Sequence, residues 1–89
     1  MFCIAVYDIN EKRVAKVLKL FRQYLHWIQN SVFEGHLSPG QIDDLIDKAL
    51  EIIDPEEDSI IIYIMETDKY LEKLNFGIDK SRLTSNFID

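Results

Sequence analysis

The stretch Phe2-Cys3-Ile4-Ala5-Val6-Tyr7-Asp8-Ile9-Asn10-Glu11-Lys12-Arg13 decides how this chain is read. From Phe2 to Tyr7 odd and even positions alike are apolar, and the run ends on a single carboxylate. That pattern belongs to a central strand covered on both faces rather than to an edge strand with one wet side. Asn10 then offers a side-chain oxygen where a helix would begin, and Glu11 puts negative charge in the first turn, where the helix dipole favours it. Val14, Val17, Leu18, Phe21 and Leu25 recur at i, i+3, i+4, i+7 and i+11, so the following helix has one stripe to bury. Lys12, Arg13, Lys16 and Lys19 fall away from that stripe. A strand thus delivers one carboxylate to the start of a basic helix.

Working outward, residues 26–37 are rich in β-formers, with Trp27, Ile28, Val32 and Phe33 around a polar Asn30-Ser31. Two short strands bent at Asn30-Ser31 are expected, one long kinked strand being the alternative. Ser38-Pro39-Gly40-Gln41 reads as a capping box with proline at the first helical position. Ile42, Leu45, Ile46, Ala49, Leu50 and Ile53 give a second helical stripe, stopped before Pro55. Asp58-Ser59-Ile60-Ile61-Ile62-Tyr63-Ile64-Met65 is a β-branched central strand. A turn at Glu66-Thr67-Asp68, a short turn of helix near Lys69-Tyr70-Leu71 and a last strand over Leu74–Ile78 complete the expectation. The order is that of an α+β, ferredoxin-like β-α-β-β-α-β sandwich with an extra C-terminal strand. Residues 1–78 would form the domain, and residues 79–89 a tail anchored by Leu83 and Phe87 that packs on a dimer partner.

At 89 residues, 47% of them hydrophobic, the chain supports one small domain, for which dimerisation adds burial that a lone core lacks. Cys3 stands alone, so no internal disulfide can form, and no Cys/His cluster has zinc-ligand spacing. The longest apolar runs are too short to span a bilayer, and the expectation is a cytoplasmic protein. The net charge of −6 speaks against a polyanionic partner only when read globally. Residues 1–33 carry five cations against two acids, whereas residues 34–72 carry two against twelve. Screening over about 8–10 Å isolates one face from another, so a basic side can still meet phosphate.

Several side chains could carry chemistry. Asp8 is either a turn carboxylate satisfying backbone N–H groups or a ligand of Mg²⁺, which takes one or two carboxylates together with waters and phosphate oxygens. A two-fold axis near the strand end would supply a second carboxylate from the partner. The cations of the first helix are either a solvated face or a phosphate-gripping row that does not read bases. His26 and His36 lack ligand spacing and read as surface or packing residues, a general-base role being the alternative. Trp27 and Phe33 could stack on bases or pack in a core or dimer contact. Asp43, Asp44, Asp47 and Glu51 make the second helix acidic outside, a solvated face or the seat of a basic partner.

Tyr7-Asp8-Ile9, Arg13, Gln29-Asn30-Ser31-Val32-Phe33-Glu34-Gly35 and the Asp58-to-Tyr63 strand together resemble the small CRISPR-associated "Cas two" family over residues 1–78. The resemblance implies a ferredoxin-like homodimer in which Asp8 of both chains binds Mg²⁺, or another divalent ion such as Mn²⁺, and is catalytic. It implies first a role in spacer acquisition, in which the dimer bridges dimers of the Cas one integrase and supports duplex DNA, for which the basic row of Lys12, Arg13, Lys16 and Lys19 would serve. The alternative it implies is metal-dependent cleavage of single-stranded RNA or double-stranded DNA. Tyr7 and Phe33 match accessory positions of that site. Trp27 departs from the pattern, since many relatives carry arginine there.

Overall fold

In the computed structural model, which describes residues 1–65 and 71–78, the opening segment is the middle of a five-stranded antiparallel sheet. The elements follow in the order β1 (Phe2–Asp8), α1 (Glu11–Tyr24), β2 (His26–Gln29), β3 (Val32–His36), α2 (Pro39–Ile52), β4 (Ser59–Met65) and β5 (Leu71–Gly77). The sheet order is β2-β3-β1-β4-β5, the ferredoxin-like arrangement with β5 added beyond β4. β1 pairs with β3 from Phe2↔His36 to Val6↔Val32 and with β4 from Phe2↔Met65 to Asp8↔Ser59.

Local chemistry places the helices where the sequence expects them. The Asn10 side chain accepts from the Lys12 amide at 2.9 Å. Ser38 and Gln41 close their capping box reciprocally, at 3.2 and 2.9 Å, with Pro39 in the first turn. The β2–β3 link is a tight bend at Asn30, whose φ of 44° lies in the left-handed region that asparagine tolerates better than most residues.

Both helices pack on one side of the sheet. The core between them holds Cys3, Ala5 and Tyr7 of β1, Phe33 of β3, Ile60, Ile62 and Ile64 of β4, and Val17, Leu20, Phe21, Ile42, Leu45 and Ala49 of the helices. Leu20 joins the α1 stripe although the heptad-like spacing omits it. Alternate residues Phe2, Ile4 and Val6 point to the other side and are only half-buried. β5 starts at Leu71, opposite Met65, so Leu71 opens a strand and does not close the expected turn of helix. Pairing with the long β4 extends the strand three residues beyond what local composition indicated. The expected turn at 66–68, the residues 69–70 and the tail 79–89 lie outside the described residues.

Candidate functional site

Strand periodicity decides which way Asp8 faces. Cys3, Ala5 and Tyr7 are buried beneath the helices, so Phe2, Ile4, Val6 and Asp8 share the opposite face, and Asp8 is exposed at its rim. Ser59 stands opposite it on β4, and Val32 and Ile61 flank Val6. The carboxylate therefore borders an apolar sheet face that neither α1 nor α2 covers among the described residues.

Only Ile9 and Asn10 separate Asp8 from α1, and this link is held at the Asn10 amide, carbonyl and side-chain oxygen. Its amide donates to Asp58 Oδ1 at 2.8 Å, its side chain caps α1, and its carbonyl accepts from the Arg13 and Val14 amides at 2.9 and 3.0 Å. Asp58, just ahead of β4, is completely buried. Its carboxylate accepts from Arg13 Nε at 2.6 Å, Arg13 Nη2 at 3.2 Å, the Asn10 amide and the Asp54 amide at 2.8 Å. The Arg13 fork, aided by the two backbone donors and opposed by burial, lowers the Asp58 pKa to about 2. In return Asp58 and Glu57, the latter at 2.6 Å, raise the Arg13 pKa further above its already high value.

This arrangement redistributes the expected site residues. Lys12, Lys16 and Lys19 are exposed on α1, at i, i+4 and i+7. Arg13 is turned inward to Asp58 and Glu57, so its charge is already matched within the chain. At about 1.5 Å per residue, Lys19 lies roughly 10 Å along the axis from Lys12. Lys12 thus stays near the end of the sheet that carries Asp8, while Lys16 and Lys19 recede from it in the helix layer. Tyr7 and Phe33 do not meet Asp8 either. They form an aromatic cluster with Phe21, the centroid separations being 5.9 Å for Tyr7–Phe21, 6.1 Å for Tyr7–Phe33 and 5.4 Å for Phe21–Phe33. The Tyr7 amide donates to Ser31 O at 3.1 Å, and Trp27 Nε1 donates to Asn30 O at 3.0 Å, which brings the hairpin tip beside the same end of β1. The Trp27 ring itself is 59% exposed. His26 and His36 are both exposed, with His36 stacked at a tilt on Phe2.

Among the described residues no group of three or more His, Cys, Asp or Glu side chains could hold a metal ion. Among the described residues the donor set at Asp8 is one hard carboxylate, unsuited to tetrahedral zinc. It suits Mg²⁺ or Mn²⁺, which keep several waters and share substrate phosphate oxygens. Among the described residues no helix is long and apolar enough to cross a membrane.

A sequence reading missed Asp58. It lies 45 residues from Arg13, and a charged residue ahead of an apolar strand gives no local sign of burial. Only the β1–β4 pairing brings the two together.

The fold and this strand-end carboxylate define a small ferredoxin-like protein with both helices on one side of its sheet. The model of the family described as CRISPR associated protein Cas2 matches residues 1–73, and the chain belongs to that family. A CRISPR-associated endoribonuclease Cas2 of Thermotoga maritima is 49% identical over 80 residues, covering 90% of this chain and 92% of that protein. Its counterpart from Dictyoglomus turgidum is 48% identical over 82 residues, with 92% and 94% covered. A crystal structure described as cas2 superposes with a TM-score of 0.73 at 44% identity, covering 91% of each chain. That of Streptococcus pyogenes Cas2 at pH 6.5 gives 0.68 at 34% identity, covering 76% of this chain and 89% of the other.

Proposed function

We propose that this protein is a metal-dependent endoribonuclease of the CRISPR system that works as a homodimer around Asp8. The observation that carries the reading is Asp8 itself, an exposed carboxylate at the rim of the apolar sheet face opposite both helices. Packing that face against its symmetry mate would bury Phe2, Ile4 and Val6 and bring two Asp8 side chains towards one axis. The relatives' name, endoribonuclease, supports RNA as substrate.

A divalent ion bound there would polarise the scissile phosphate and lower the pKa of a coordinated water. The chain's own contributions are distinct. Asp8 offers hard oxygens and negative charge, and two facing copies repel each other unless a cation or a shared proton lies between them. Lys12, at the same end, offers a point charge to a neighbouring phosphate. Tyr7 and Phe33 act from the core, by holding β1 and β3 in register. The test is Asp8→Asn, which should abolish Mg²⁺-dependent RNA cleavage while leaving the fold and the dimer intact. Cleavage at the wild-type rate by the purified variant would refute the assignment.

A second reading rests on a separate observation. From Lys12 an exposed stripe continues through Lys16 and Lys19 away from Asp8, so those two can follow a nucleic-acid backbone without taking part in cleavage. This suits a spacer-acquisition role in which the dimer supports duplex DNA beside the Cas one integrase, as the family resemblance implies. If spacer acquisition survives Asp8→Asn but is lost when the lysine stripe is neutralised, the supporting role is the essential one.

A further inference from the structure

Asp58 is the most completely enclosed charge among the described residues, and the cleavage chemistry makes no direct use of it. It is buried to 0% exposure, yet it does not sit in the apolar core. It stands where three segments meet: the β1–α1 link through Asn10, the α2–β4 loop through Asp54, and the end of β5 through its own carbonyl, which accepts from the Ile78 amide at 3.0 Å. Four N–H groups converge on its carboxylate, two on each oxygen. Four is the full capacity of an ionised carboxylate. No other common side chain of this size satisfies that set, because an amide would turn its own NH₂ towards two of the four donors.

We propose that Asp58 is a positioning residue for Asp8, its Arg13-bound carboxylate holding the Asn10 amide and thereby fixing the two-residue link on which Asp8 stands. The inference rests on the assignment of Asp8 as the reacting carboxylate. Two constraints converge on that link. On one side Asp8 is paired across the sheet with Ser59, the neighbour of Asp58. On the other, Asn10 is tied to Asp58 itself and to the first turn of α1. Releasing the second constraint leaves Asp8 on a strand end that can fray, and a misplacement of about 1 Å can cost on the order of a hundredfold in rate. Arg13 serves this device as a counter-ion and not as a phosphate contact. Lysine in its place would keep the charge but lose the fork that engages both oxygens.

The test uses the full-length protein with Asp58→Asn and Arg13→Lys, each compared with Asp8→Asn. For folded variants, confirmed by near-UV circular dichroism, kcat for Mg²⁺-dependent RNA cleavage should fall between about ten- and a hundredfold. RNA affinity measured with Mg²⁺ omitted should stay within about twofold. The readout independent of activity is the Asn10 amide, whose hydrogen-exchange protection should drop in both variants while that of core strand β1 residues such as Ala5 is kept. If Asp58→Asn does not fold, Arg13→Lys carries both measurements. A kcat per folded molecule equal to wild type in either variant, or unchanged Asn10 protection, overturns the proposal. Loss of activity in Asp8→Asn together with wild-type kcat in Asp58→Asn would overturn this inference alone. Undiminished cleavage by Asp8→Asn would instead remove the nuclease reading beneath it.

Discussion

Acidification should reveal the Arg13–Asp58 pair as a contribution to stability of definite sign and size. The Asp58 pKa falls from 3.8 to about 2 on folding, chiefly because Arg13 binds the ionised form. A folded-state pKa below the unfolded one gives stabilisation that is fully present above the unfolded value and is lost as pH falls through the folded value. Nearly two pH units at 1.36 kcal/mol each correspond to about 2 kcal/mol. The window is therefore about pH 4 down to pH 2. Urea denaturation of wild type and Asp58→Asn should be followed across that window at one fixed protomer concentration, because dimerisation also feeds into apparent stability. Asp58→Asn should be less stable throughout, since the inward-turned guanidinium loses its buried partner and keeps only the exposed Glu57. Its stability should also fall less steeply with acid, by about 2 kcal/mol between pH 5 and pH 2. Other carboxylates titrate in both proteins and cancel in the difference. Curves that stay parallel down to pH 2 would show that Asp58 is not held ionised by Arg13, and the reasoning would fail.

Further outcomes follow from the same geometry. Gly77 has φ of +87°, and a Cβ there would collide with the Asp58 carbonyl oxygen; Gly77→Ala should lower stability by about 1–3 kcal/mol, read as a fall in Tm. Replacing Lys12, Lys16 and Lys19 together by glutamine should reduce the slope of log affinity for duplex DNA against log salt by roughly 0.9 for each phosphate no longer neutralised. An unchanged slope would make those lysines a merely solvated face. Light scattering at micromolar concentration should give twice the chain mass of 10.5 kDa, and a folded monomer there would remove the shared Asp8 site.

Much of this architecture was legible because it is written in short-range periodicity. The i, i+3, i+4 stripes place both helices, and the apolar run ending at Asp8 places β1 at the centre of the sheet. Asn30-Ser31 correctly marks the bend between β2 and β3. What escaped was non-local. Leu71 enters β5 because Met65 lies opposite it, a fact about pairing rather than about its neighbours in sequence. Arg13 looked like one more member of a basic row, since a side chain's charge says nothing about which way it turns. Its partner arrives only through β4, and so Asp58 passed as an ordinary strand-leading acid. Asp8 was identifiable as a strand-end carboxylate, yet its separation from Lys16 and Lys19 depends on which sheet face the helices cover.

The aromatic cluster of Tyr7, Phe21 and Phe33 makes β1 a two-position switch jammed in one setting. Side chains alternate along a strand with a period of two, so a slip of β1 by one residue would exchange its two faces entirely. Tyr7 would then be expelled towards water and Asp8 driven under the helices, where burial of a carboxylate is strongly disfavoured. Inserting a single residue between Cys3 and Tyr7 should accordingly produce no gradual decline. The strand can either bulge locally and keep Tyr7 seated, or lose the carboxylate from the open face altogether. Tolerance to such an insertion thus becomes a direct gauge of how firmly three buried rings determine the side of the sheet to which Asp8 is delivered.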